Sequence, residues 1–117
     1  MRIAVSGAHG RVGSAAVQTL RGRGHSVCGN DLIGTTLPDG TEWVAGDLLD
    51  PATLDHLLAG ADVLVHMAAT LRDEPFDKVL DTNHRLVRAV YEGARRHGLR
   101  RVVYASSNHA FGLYPTG

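Results

Sequence analysis

The chain has 117 residues, 44% of them hydrophobic and 21% charged, which suits a single globular domain with a modest core rather than a disordered polymer. Basic and acidic side chains balance at 12 each and no basic block occurs, so neither nucleic acid nor an anionic membrane surface is expected as a partner. The single cysteine, Cys28, excludes an internal disulfide framework, and no apolar run is long enough for a membrane span or a secretory signal; the expected setting is reducing and cytoplasmic.

The elements alternate in type. "RIAVSG" (2–7) is a continuous apolar run that stops at glycine, the mark of a buried strand. From Arg11 to Arg23, Val12, Ala15, Ala16 and Leu20 recur at helical spacing, and Gly24 supplies a stop. "HSVCGND" (25–31) reads as a second strand. "EWVAGD" (42–47) reads as a third, after a loop containing Pro38, Asp39 and Gly40. Asp50-Pro51 has the form of an N-cap and first helical residue, with Leu54, Leu57 and Leu58 as the buried stripe.

"ADVLVHMAA" (61–69) is the most strand-like run of the chain. Residues 75–97 then carry Val79, Leu80, Leu86, Val87, Val90, Tyr91 and Ala94 at the spacing of an amphipathic helix that Gly98 ends. "RRVVYASS" (100–107) is the last strand expected. Trp43 and Tyr91 read as core residues. Apolar strands that do not alternate, separated by helices, indicate a parallel sheet covered on both faces. The expected fold is therefore α/β, a doubly wound parallel sheet of the Rossmann type with five strands, occupying residues 1–117 as one dinucleotide-binding domain.

The turn after the first strand carries chemistry. "SGAHGRVGS" sets Gly7, Gly10 and Gly13 at G-x-x-G-x-x-G spacing. The first glycine permits a tight turn, the second admits backbone to a pyrophosphate, and the third lets the helix pack closely on the sheet. The free amides of the helix start, at His9, Gly10, Arg11, Val12 and Gly13, then face the phosphates. No Gly-Lys-Ser/Thr follows, so a nucleoside-triphosphate loop is not supported.

Asp31 ends the second strand, 18 positions beyond Gly13. A carboxylate there accepts hydrogen bonds from both ribose hydroxyls of an adenosine and repels a 2′-phosphate. Leu32 and Ile33 offer no cation to bind such a phosphate, which favours NAD over NADP. Asp47 and Leu48 stand past the third strand, where an adenine edge and face are expected. Ala68, Ala69 and Thr70 end the fourth in small residues suited to close backbone approach.

Together with His66-x-Ala68-Ala69, Asn83, Ala105 and Ser106-Ser107, these motifs resemble the extended short-chain dehydrogenase/reductase family, the NAD-dependent epimerase/dehydratases. The resemblance covers nearly the whole chain. Within the family, "SSNHAFGLYP" is most similar to the uronate dehydrogenases, which oxidise C1 of a hexuronate to an aldarolactone with NAD. The resemblance implies a catalytic, hydroxyl-polarising role for Ser107 and substrate contacts for Ser107, Asn108 and His109. It implies cofactor contacts for the glycine loop, Asp31, Leu32, Asp47, Leu48, Ala68, Ala69, Thr70 and Ala105, with Asn83 in a water relay. A sugar or sugar-acid substrate follows, and helices at the position of residues 75–97 often build dimers in the family. Self-association is expected separately from the unpaired apolar edge that "RVVYAS" presents.

Two departures from the family pattern stand out. No Tyr-x-x-x-Lys pair occurs: Tyr91, Tyr104 and Tyr114 lack a lysine four positions on, and the only lysine is Lys78. Leu71 also stands where uronate dehydrogenases carry a substrate-binding serine. These 117 residues are therefore expected to form the NAD-binding part of a dehydrogenase, inactive alone. Two alternatives are a non-catalytic NAD(H)-binding module or sensor and a fragment of a nucleotide-sugar epimerase or dehydratase. The seven histidines show no metal-ligand spacing, and no metal is expected.

Overall fold

The computed structural model describes residues 1–35, 39–69 and 74–106. In chain order the elements are β1 (Arg2–Ser6), α1 (Arg11–Gly22), β2 (Ser26–Asp31), β3 (Glu42–Ala45), α2 (Pro51–Leu58), β4 (Val63–His66), α3 (Phe76–Arg96) and β5 (Arg101–Tyr104). The strands form one parallel, five-stranded sheet of order β3-β2-β1-β4-β5. The order reverses between β1 and β4, and a crevice opens there at the carboxyl ends of the strands.

Strand side chains alternate between two cores, as a period of two requires. Ala4, Cys28, Val44 and Leu64 point to the face covered by α2 and α3, where they meet Leu54, Leu57, Leu58, Leu86 and Val90. Ile3, Val5, Val27 and Val65 point to the other face, which α1 covers through Val17. Cys28 is fully buried, and burial pushes its thiol up to about 11, so it behaves as a small apolar side chain. Asp50 caps α2, its carboxylate accepting from the Ala52 amide, with Pro51 in the first turn.

The helical stripes differ from the sequence expectation. In α1 the buried residues are Gly13 and Val17, while Val12 and Ala15 are exposed. The close approach of Gly13 to the glycine loop fixes the rotation of the helix, and that rotation turns Val12 outward. In α3 the buried set is Leu86, Val90, Gly93 and Ala94; Leu80 and Tyr91 face outward at 56% and 45% exposure. Tyr91 is thus not a core residue. Strands four and five are shorter than expected, covering 63–66 and 101–104 rather than 61–69 and 100–107.

Candidate functional site

The turn from β1 into α1 is held by contacts that leave no room for side chains. Gly7 has φ +67, and a Cβ there would stand 2.9 Å from the Met67 carbonyl carbon and the Ala68 amide nitrogen. A Cβ on Gly13 would lie 2.0 Å from the Gly7 carbonyl oxygen. The glycine loop therefore packs directly on the backbone beyond β4 and on the first turn of α1. Gly10 is the N-cap of α1 and has no side chain to offer its amides, and no acid occupies the first turn. The positive end of the helix is left available to an anion.

Asp31 closes one side of this loop. One of its carboxylate oxygens accepts from the His9 amide at 3.1 Å, the other from the Leu32 amide at 2.8 Å. Behind it, buried Asn30 donates its side-chain amide to the carbonyls of Val44 (2.8 Å) and Gly46 (3.2 Å), locking the ends of β2 and β3 together. The Gly46 amide in turn donates to the Asp31 carbonyl at 3.0 Å. Asp47 turns the chain after β3 by accepting from the Leu49 amide.

A cleft of about 470 Å³ runs across these strand ends. It is lined by Gly7, Gly10, Asp31, Leu32, Asp47, Leu48, Ala68 and Ala69, all singled out from the sequence. Leu48 is also buried in the core, so it forms floor rather than wall. Asn30, Gly46, Met67, Glu74, Thr82 and Leu86 line the cleft as well and were not anticipated. The signal for Asn30 was available: a polar residue in a strand read as buried needs a partner for its side-chain amide. Thr82 and Leu86 sit a turn apart on α3, and only the fold shows that this helix flanks the crevice.

Other candidates lie outside the lining. Gly13 is buried beneath the loop, Arg11 and Val12 are exposed at the start of α1, and His9 contributes its amide to Asp31. Asn83 is half-buried on α3, and the Ala105 amide donates to the His66 carbonyl at 3.1 Å. Thr70, Leu71, Ser107, Asn108 and His109 lie outside the described residues. His66 is 1% exposed, and burial lowers its pKa to about 4, so it is neutral at pH 7. A second depression, between α1 and the starts of β2 and β3, lies at the opposite end of the sheet.

The features of the cleft agree with the group that the glycine spacing implies. The close packing at Gly7 and Gly13 builds the tight turn that brings Gly10 and the uncapped start of α1 to the cleft, where backbone amides suit a pyrophosphate. The Asp31 carboxylate lines the same cleft, as a ribose acceptor would. Among the described residues, no group of three or more potential metal ligands occurs, and no helix is long and apolar enough to cross a membrane.

Comparison with known proteins gives the same direction. The model of the NAD dependent epimerase/dehydratase family matches residues 3–116. A uronate dehydrogenase from Pseudomonas syringae pv. tomato is 35% identical over 115 residues, covering 97% of this chain and 42% of that protein. The crystal structure of a short-chain dehydrogenase/reductase superfamily protein from Agrobacterium tumefaciens with bound NAD superposes with a TM-score of 0.88. It is 32% identical and covers all of this chain and 36% of that one. Uronate dehydrogenase from Agrobacterium tumefaciens gives a TM-score of 0.84 at 34% identity, over 97% of this chain and 43% of the other. The chain thus spans about two fifths of the length of these relatives. On its sheet order, its glycine cradle and this match along almost its whole length, the chain belongs to the NAD-dependent epimerase/dehydratase family.

Proposed function

We propose that these residues form the NAD-binding part of an oxidoreductase that acts on a sugar or sugar acid, with uronate-type oxidation of C1 to a lactone as the specific reaction. The observation that carries the reading is the cradle itself: Gly7 and Gly13 in contact with neighbouring backbone, and the Asp31 carboxylate fixed beside them by two amides.

Gly7, Gly10 and the first turn of α1 hold the pyrophosphate through backbone amides and the helix dipole. Asp31 accepts from the adenosine ribose hydroxyls and excludes a 2′-phosphate by charge, which sets NAD above NADP. Leu48 and Asp47 bound the adenine, and the Met67–Ala69 backbone approaches the rest of the dinucleotide. Bound NAD supplies a hydride acceptor. Ser107, Asn108 and His109 are assigned to the substrate by family resemblance, Ser107 polarising the reacting hydroxyl. The uronate dehydrogenase relatives support the sugar-acid class. A protein of this reading is a homodimer or otherwise self-associates, and works in the cytoplasm.

These 117 residues contain no Tyr-x-x-x-Lys pair to take the substrate proton. On this reading the 117 residues alone bind NAD without turning it over. Calorimetric titration of the chain with NAD and NADP tests the reading, with absorbance at the nicotinamide band recorded in the presence of galacturonate or glucuronate. The expected results are saturable NAD binding, weaker NADP binding and no reduction of NAD. Equal affinity for NADP contradicts the role of Asp31, and galacturonate-dependent reduction contradicts the inactivity.

A further inference from the structure

We propose that Trp43 is the positioning residue of the adenosine-ribose clamp, joining the glycine loop to the turn after β2 and so holding Asp31 in its recognition geometry. The inference rests on the reading of Asp31 as the ribose acceptor and extends it to a residue that faces none of the cofactor.

Trp43 lies on β3, and its register partner on β2 is Gly29. A Cβ on Gly29 would stand 2.9 Å from two carbons of the indole ring and 3.0 Å from the Ala8 Cβ. The glycine is therefore the seat that lets the ring and the glycine loop meet over β2. The indole and the His9 ring meet in a T-shaped arrangement, with centroids 6.4 Å apart and planes at 83°. The His9 amide is the group that donates to Asp31.

On its other side the indole Nε1–H donates to the Ile33 carbonyl at 3.1 Å, two residues past Asp31. One side chain thus ties down both segments that flank the carboxylate. The Ala8 amide also ties the glycine loop to the Asn30 carbonyl at 2.9 Å, and the Gly46 amide holds the Asp31 carbonyl. Past Asp31, however, the chain is open: Ile33 is 69% exposed and Leu32 57% exposed, so packing does not fix the turn. The indole does so with one directional hydrogen bond and one ring contact.

The chain has one tryptophan, so both a substitution and a spectroscopic signal are unambiguous. Trp43→Phe retains an aromatic ring toward His9 and removes the Nε1–H donor. Dissociation constants are measured for NAD and for 2′-deoxy-NAD, which lacks one ribose hydroxyl. The wild-type chain is expected to prefer NAD. In Trp43→Phe the affinity for NAD falls roughly two- to tenfold, the span of one lost hydrogen bond, while that for 2′-deoxy-NAD falls less, so the preference shrinks.

A general structural role lowers both affinities by the same factor and overturns the proposal, as does no change in either. If the wild-type chain shows no preference between the two ligands, the ribose reading of Asp31 fails first and this inference with it. A second measurement needs no variant. The single indole N–H resonance is expected to shift when NAD is added; a resonance that stays unmoved at saturating NAD overturns the proposal even where Trp43→Phe does not fold.

Discussion

The Ser6 hydroxyl lies 2.7 Å from Nδ1 of His66 and joins the carboxyl ends of β1 and β4 beneath the cleft. The same oxygen accepts from the amides of Met67 at 3.1 Å and Ala68 at 3.2 Å. With both lone pairs used, the hydroxyl proton is directed to Nδ1, which assigns the remaining imidazole proton to Nε2. The pair thus requires a neutral His66 and fixes the Met67–Ala68 backbone against which Gly7 packs. His66 also stacks on Tyr104 of β5, its register partner, with ring centroids 5.8 Å apart.

A pH dependence of stability follows. The pKa of His66 is 6.5 in its ordinary state and is lowered by burial to about 4 in the fold. Between those values the unfolded chain binds the extra proton and the folded chain does not, so stability falls as pH drops from 6.5 and levels off below about 4. At about 1.4 kcal/mol per pKa unit, the loss reaches roughly 3 kcal/mol across that window. Urea titrations at successive pH values measure it. His66→Gln is expected to flatten the curve between pH 6.5 and 4; an unchanged slope contradicts the assignment.

Substitution in the glycine cradle separates close approach from mere flexibility. Gly13→Ala places a methyl 2.0 Å from the Gly7 carbonyl oxygen, where only backbone can yield. We expect a loss of about 1–3 kcal/mol, as for other overpacked sites, and loss of measurable NAD binding. Gly22→Ala, in the same helix and with open space around it, is expected to be neutral or stabilising. Thermal melts and NAD titrations of the two variants read the difference, and similar behaviour of both contradicts the cradle.

Much of this was legible before the structure. The glycine spacing, Asp31 and the run of apolar strands named the fold and half of the cleft, because each follows from local chemistry. The rotation of the helices was less legible. Val12 carries the stronger apolar signal, yet Gly13 faces the sheet, since the loop demands a residue without a side chain there. Tyr91 read as core because its spacing along α3 is apolar, but spacing does not reveal how wide a face the sheet covers. Thr82 and Glu74 reach the cleft only through tertiary placement, and no local pattern marks them.

Asn30 is a clear case of a buried polar residue that acts as a tie. Asn30→Ala leaves the carbonyls of Val44 and Gly46 without their side-chain donor at the ends of β2 and β3. The expected cost is about 1–3 kcal/mol, with NAD affinity reduced because Asp31 follows directly in sequence. Denaturant unfolding and ligand titration check both parts. A stable variant with unchanged NAD affinity contradicts the tie.

β5 is one of the two edge strands among the described residues, with Val103 and Tyr104 at 46% and 48% exposure. On α3, Phe76 and Leu80 are exposed at 75% and 56%. Open strand edges and apolar patches favour association. Sedimentation velocity on the chain is expected to show concentration-dependent growth, reduced by Val103→Lys. A single monomer boundary across the concentration range contradicts this.

The central claim is the location of the dinucleotide at the β1–β4 crevice. Backbone amide chemical shifts followed during an NAD titration test it most directly. The account predicts saturable shifts at Gly10 to Gly13, Asp31, Leu32, Ala68 and Ala69, with the depression around Arg21, His25 and Glu42 unmoved. Saturable shifts confined to that opposite end of the sheet, or none at the glycine loop at saturating NAD, would contradict it.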